Sequence, residues 1–193
     1  HDQRSPGSEA MLQKLHHLVG DSWEPLSYPA VYRRETMTDG NDRIVATVPR
    51  SDPAIFMALA EQIAEPYCFL YVLVTPRGEG EPGRYESEPL DAEQVRDFLF
   101  RFGRFLQQDS RCSLWLHSFA DGATVVWDHH DLIFGYGPLD RYVAALDFLG
   151  FQVGEPAIPF PHSHNYHVSL DAEATEILEA FDWLRKSLQP EDD

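Results

Sequence analysis

The run YCFLYVLVTP at residues 67–76 constrains the fold more than any other feature of the sequence. It has the length of a strand, is rich in aromatic and β-branched residues, and does not alternate between apolar and polar positions. A run of this kind predicts a central strand that is covered on both faces. The chain must therefore place other segments on both sides of a sheet.

Helical and strand patterns follow one another along the rest of the chain. The helix at 90–109 has the clearest pattern, because Asp91 and Gln94 form a capping-box pair and apolar residues recur at helical spacing after them. Helices are predicted at 11–21, 51–66, 90–109, 138–150 and 171–187, and strands at 43–49, 67–76, 113–119, 124–128 and 132–137.

The order of these segments predicts an α+β fold. Strand–helix–strand occurs twice in succession, at 44–74 and 85–119, which is the order of a βαβ-βαβ (ferredoxin-like) core. We expect a mixed or antiparallel sheet, extended by a β-meander at 113–137 and by two C-terminal helices. Residues 1–10 are interpreted as a tag or vector remnant, 11–188 as one domain with an alternative split near 84–90, and 189–193 as an acidic tail.

Charge is the strongest global signal. The 193 residues contain 15 Lys and Arg against 32 Asp and Glu, a net charge of −17. Such a surface repels phosphate backbones and anionic lipids, so neither nucleic acid nor membrane is an expected partner, whereas a basic protein would be attracted. No apolar run approaches the roughly 18 residues of a membrane span. We expect a cytoplasmic protein with Cys68 and Cys112 as free thiols.

The segment PHSHNYH holds His162, His164 and His167, three of the nine histidines. Its prolines favour an extended backbone, in which His162 and His164 point the same way and His167 points away unless the chain turns. A zinc-like site needs three or four converging ligands, and Asp128 and His129 are candidates for the others. The sequence leaves open whether the segment binds metal or is an ordinary hydrogen-bonded loop.

A second possibility for the same region is a pocket without metal. His117 in a predicted strand, Tyr136 in the meander and Tyr166 beside the histidines could together bind a small ligand. His117 is also a further candidate ligand for a metal. Nothing in the sequence requires that these side chains meet.

The stretch VVWDHHDL at 125–132 resembles the Asp-His-His signature of the DHH phosphoesterase family. The resemblance covers this stretch alone, and it implies metal-ligand roles for Asp128, His129 and His130. That family needs further aspartate motifs upstream, and this sequence has no matching Asp-x-Asp-Gly element. A polar hairpin turn is the simpler interpretation of these residues.

Acidic residues recur along the last predicted helix. Glu173, Glu176, Glu179 and Asp182 are spaced every three residues, opposite an apolar stripe. The pattern fits a solvated face, or a docking face for a basic protein.

Three functions follow from these observations. The preferred one is a non-enzymatic binding protein, immunity- or inhibitor-like, that uses its acidic surface to engage a basic partner and needs no cofactor. The second is a metal-dependent hydrolase with His162 and His164 as first ligands of a zinc-like ion. The third is a small-ligand-binding domain.

Overall fold

The computed structural model describes residues 12–193, so the interpretation of residues 1–10 lies outside the described residues. In chain order the strands and helices are β1 (Leu15–Val19), β2 (Ser22–Pro25), β3 (Val31–Thr36), β4 (Asp42–Thr47), α1 (Pro53–Ala60), β5 (Tyr67–Leu73), β6 (Gly83–Glu86), α2 (Ala92–Gln108), β7 (Cys112–Ser118), β8 (Thr124–Trp127), β9 (Leu132–Tyr136), α3 (Leu139–Phe148), β10 (Gln152–Val153), β11 (His162–His164), α4 (Asp171–Glu179) and β12 (Leu184–Lys186). Three short 3-10 turns lie between them, at Pro49–Ser51, Val168–Leu170 and Pro190–Asp192.

The strands form two sheets. A nine-stranded sheet has the order β10-β3-β4-β9-β8-β7-β5-β6-β12, and a three-stranded sheet has the order β11-β1-β2. All neighbours are antiparallel except β10 and β3. The fold is therefore α+β, as predicted, and the expected meander is present as β7-β8-β9.

The ferredoxin-like core is not confirmed. Strands β4 and β5 flank helix α1 in the chain, but β9, β8 and β7 lie between them in the sheet. Only β6-α2-β7 forms a compact unit, in which β5 inserts between two strands of the same direction. The large sheet is more than an extended meander, because strands from both ends of the chain join it.

The hydrophobic core lies between one face of the large sheet and the four helices. Strand residues such as Ile44, Leu114 and Ile133 belong to the same buried cluster as Phe98 and Phe102 of α2. Strand β5 is buried along almost its whole length, with one half-buried residue, Leu70, as predicted for a strand covered on both faces. The helix start at Asp91 is also confirmed, since the Asp91 carboxylate accepts from the Gln94 backbone N–H in a complete capping box.

Three of the predicted helices are wrong in whole or in part. The one predicted at 51–66 ends at Ala60. Residues 15–25 form the β1-β2 hairpin, which turns at Gly20 with φ 61°. This segment is a strand and not a helix because β1 also pairs with β11, from far along the chain. The last helix ends at Glu179 instead of 187, and β12 follows it at the edge of the sheet. The Ile177 carbonyl at the helix end accepts from the Ala180 backbone N–H at 3.3 Å and from the Trp183 indole N–H at 2.9 Å.

Cys68 and Cys112 are both buried and unpaired. Within residues 12–193, no helix combines the length and the apolar character that crossing a membrane requires.

Gly135 packs directly against the fully buried ring of Tyr142. A Cβ at Gly135 would lie 2.8 Å from that ring, whereas one at Gly103 in α2 would meet its nearest neighbour at 3.7 Å. We expect Gly135→Ala to lower the free energy of unfolding by about 1–3 kcal/mol. The matched control Gly103→Ala should raise it by up to about 1 kcal/mol, because alanine favours a helix interior. Urea unfolding measures both, and an unchanged Gly135→Ala would contradict the packing.

Candidate metal centre

Two distant segments of the chain bring histidines together. The turn between β8 and β9 supplies His129 and His130, and strand β11 supplies His164. One potential ligand atom from each lies within 4.8 Å of the others. The ring centroids are 4.3 Å apart for His129 and His130, and 4.9 Å from each of these to His164. Among residues 12–193 this is the one group of three such side chains close enough to share a metal ion.

His162 lies at the edge of this histidine cluster. Its ring centroid is 5.5 Å from that of His130 and 5.4 Å from that of His164. The Nδ1 of His162 is 3.0 Å from the Pro159 carbonyl, which can only accept, so this ring carries its proton on Nδ1. Its Nε2 is then the nitrogen with a free lone pair.

Ser110 fixes the orientation of His164. Its hydroxyl donates to the His129 carbonyl at 2.9 Å, and it therefore accepts from His164 Nδ1 at 2.6 Å. His164 Nε2 is left with a lone pair. The same serine thus touches both segments that form the cluster.

The other two rings are held in the same manner. His130 Nδ1 lies 3.4 Å from the Asp128 carboxylate, and His129 Nδ1 lies 3.1 Å from the Ser113 hydroxyl. None of the four rings makes a hydrogen bond at Nε2 within the described part of the chain. Metal-ligating histidines commonly use one nitrogen for the ion and donate the other N–H to a polar partner. The arrangement has the form of an oriented ligand set.

Burial keeps His129 and His164 uncharged near pH 7. Loss of hydration, followed by the neighbouring His130, lowers the pKa of His129 to about 4. Loss of hydration, followed by the nearby His129, His130 and His162, lowers the pKa of His164 to about 3. Both rings are therefore neutral near pH 7, when a cation need not displace a proton to bind them.

A buried ion pair supports the turn that carries His129 and His130. Asp131, at φ 62°, accepts from Lys14 Nζ at 2.7 Å, from Trp127 Nε1 at 3.0 Å and from the Ser51 hydroxyl. Lys14 is only 4% exposed. These bonds hold an unfavourable backbone conformation in place, and with it the direction of the two histidines.

A second buried network holds the segment that carries His164. The fully buried Arg111 bonds to Asp109 at 2.8 Å, to Glu79 at 3.0 Å and to Asp171 at 3.1 Å, and donates to the His167 carbonyl at 3.1 Å. Burial alone would lower the pKa of Arg111, but the hydrogen bonds that it donates to Asp109 and Glu79 raise the pKa above the ordinary value. The guanidinium thus stays charged and ties residues 167–171 to the end of α2.

A pocket of about 600 Å³ adjoins the cluster. It lies on the sheet face opposite the helices, because Trp115 lines it while its neighbour Leu114 belongs to the core. Strands β4, β9, β8, β7 and β5 supply most of its wall, and residues 191–193 line it as well. Asp128, His129 and His130 are part of the same lining, so a ligand in the pocket would lie beside the histidines.

The structure separates the predicted metal ligands into two groups. His129 and His164 meet, His162 lies next to them, and Asp128 orients His130. His167 lies apart, because its Nε2 is 2.8 Å from the Gln13 carbonyl. For His130 the DHH resemblance implied a ligand role, but the sequence favoured a polar turn; the turn is present, and it places the His130 ring beside those of His129 and His164.

The predicted pocket residues are not brought together. Tyr136 lines the pocket, and its hydroxyl accepts from Arg43 at 2.9 Å. His117 is not in the lining and bonds instead to Thr124 at 2.8 Å. Tyr166 is 37% exposed and does not line the pocket either.

The predicted docking face is divided. Glu173, Glu176 and Glu179 lie on α4, whereas Asp182 lies beyond its end. Glu176 is 3.5 Å from Arg101, so part of its charge is already paired.

Comparisons with protein-family models, with curated proteins and with solved structures found no match to this chain.

The lowered pKa values of His129 and His164 predict a pH dependence. As pH falls from about 6.5 towards about 4, the unfolded chain takes up protons that these folded histidines exclude, so the free energy of unfolding falls. The slope is below about 1.4 kcal/mol per pH unit for each ring, because solvent screens part of the effect. Urea unfolding of metal-free protein between about pH 5 and 6.5 measures it. The His129→Asn, His164→Asn variant should show a shallower fall, and an equal slope would contradict the assignment.

Proposed function

We propose that this protein is a metal-dependent hydrolase in which His129, His130 and His164 bind a zinc-like divalent cation. The observation that carries the proposal is the convergence of three buried or half-buried imidazoles from two distant segments. Each has a polar partner at Nδ1 and no hydrogen bond at Nε2 within residues 12–193. Imidazole nitrogen is a preferred ligand of zinc and its neighbours in the first transition series.

A set of three protein ligands favours catalysis over a purely structural role. Structural zinc sites are closed by four protein ligands, whereas catalytic sites keep a position for water or substrate. The ion would lower the pKa of a water molecule bound at such a position enough for the water to act as a nucleophile near neutral pH. The adjoining pocket supplies the space in which a substrate could reach that position.

The surrounding side chains have distinct roles in this proposal. Ser110 and Asp128 orient His164 and His130 through Nδ1, which would leave Nε2 to bind the ion. His162, whose ring lies beside those of His130 and His164, would carry the proton. In hydrolysis the water oxygen would join the acyl carbon of an ester or amide as the bond to the leaving group breaks, and His162 would pass the proton of the water to the leaving group.

The immunity-like function expected from the acidic surface stays a prediction. The net charge of −17 favours a basic partner, but Asp182 lies beyond the end of α4 and Glu176 is already near Arg101. The histidine cluster provides a more specific arrangement than the distribution of charge. We therefore place the hydrolase first.

Metal titration tests the proposal directly. We expect chelator-treated protein to bind one equivalent of Zn²⁺ in isothermal titration calorimetry. The His129→Ala, His164→Ala variant should bind at least about 100-fold more weakly, since it loses two of three ligands. The control His167→Ala removes a histidine of the same sequence segment that lies outside the cluster, and should bind like the wild type. Binding that survives in the double variant would contradict the site.

Activity provides the second half of that test. The zinc-loaded wild type should release p-nitrophenol from p-nitrophenyl acetate faster than the metal-free protein, and the double variant should not respond to zinc. Stoichiometric zinc without any acceleration would leave a metal-binding protein and contradict the hydrolase.

The hydroxyl of Ser110 should matter without touching the ion. We expect Ser110→Ala to weaken zinc binding by about 10- to 100-fold, because His164 loses the partner that fixes its tautomer and orientation. The matched control Ser118→Ala removes a buried hydroxyl elsewhere, one that donates to the Ala64 carbonyl. Equal affinities of the two variants, measured by the same titration, would show that Ser110 does not position the ligand.

A further inference from the structure

The wall of the pocket beside the histidine cluster is largely apolar and aromatic. Four neighbouring strands of the sheet, β5, β7, β8 and β9, contribute the apolar and aromatic side chains Val72, Trp115, Val126, Phe134 and Tyr136. Its volume of about 600 Å³ lies in the range of sites for small organic ligands. The wall is suited to a flat apolar body.

The positive charges near this wall are already paired. Arg43 bonds to Glu35 through both Nε and a terminal nitrogen, each at 2.9 Å, and its guanidinium lies 4.5 Å from the Phe134 ring. Arg84 lies 3.5 Å from Asp192, with its guanidinium 5.0 Å from the Trp115 ring. Both arginines therefore have a carboxylate and an aromatic ring beside them.

Negative charge in the lining is not compensated in this way. Asp128, Glu191 and Asp193 line the pocket, and no Lys or Arg forms an ion pair with any of them within residues 12–193. Asp192, which is buried and accepts from the Gln189 backbone N–H at 2.7 Å, anchors Glu191 and Asp193 on either side of it. The acidic groups are therefore fixed near an aromatic wall.

We infer that this pocket binds an organic cation, an amine carried on a flat aromatic body. Aromatic faces and carboxylates both attract an ammonium group, and the body would pack on the apolar wall. Carboxylate or phosphate compounds would meet uncompensated acidic groups. That such a cation is part of the hydrolysed substrate rests on the proposed function: the substrate would be an ester or amide bearing an amine.

Three probes of nearly equal size but different charge test the charge preference. Tryptamine is a cation, tryptophol is neutral and indole-3-acetate is an anion at pH 7. Calorimetric titration of the metal-free full chain should give at least tenfold tighter binding for tryptamine than for tryptophol, and no measurable binding for indole-3-acetate. Tryptamine binding no tighter than that of indole-3-acetate would overturn the inference.

Two variants locate the effect in the pocket. Glu191→Gln, Asp193→Asn should weaken tryptamine binding at least fivefold and leave tryptophol binding unchanged. The control Glu176→Gln, Glu179→Gln removes the same charge from α4 and should change neither, which separates the local carboxylates from the overall charge of the protein. Equal losses in the two variants would overturn the inference.

The outcome is independent of the metal. Because the titrations use metal-free protein, tryptamine binding without any zinc site would keep the pocket assignment and reject the hydrolase. Zinc binding without a preference for tryptamine would keep the metal site and reject the pocket assignment.

Discussion

The arrangement of the site depends on the buried guanidinium of Arg111. It bonds to Asp109, Glu79 and Asp171, from the end of α2, from the loop after β5 and from the start of α4. Removal of one partner from such a group leaves a buried charge without compensation, which typically costs about 3–5 kcal/mol. Since Arg111 also donates to the His167 carbonyl, and Asp109 accepts from the His167 backbone N–H at 2.8 Å, the network fixes the path of the chain just after His164.

The histidine cluster is assembled by groups that do not belong to it. Asp131 directs the turn carrying His129 and His130, and Ser110 joins that turn to His164. Each support is a buried polar group with its hydrogen bonds made, which is the condition under which such groups give a single arrangement. The site thus combines rigid support with two rings, His129 and His164, whose pKa values burial lowers.

Local patterns predicted the elements whose stability is local. The capping box at Asp91, the covered strand at 67–73 and the hairpins of β7-β8-β9 all follow from residues close together in the chain. Pairing across long distances was not predictable: β1 is a strand because it meets β11, and β12 because it meets β6. The same limit applied to the site. His162 and His164 could be selected as ligands from their spacing, but nothing near His130 in the sequence reveals that it faces them.

The pairing of β1 with β11 has a consequence for folding. Lys14 and Asp131 are 117 positions apart along the chain, and the Asn165 backbone N–H donates to the Lys14 carbonyl at 2.9 Å. Contacts of such long range slow folding, because the chain must close a long loop to make them. His164 lies on β11 directly opposite Leu15 of β1, so the beginning of the described chain helps to place this imidazole. An ion bound by His129, His130 and His164 would therefore stabilise only the fully folded chain.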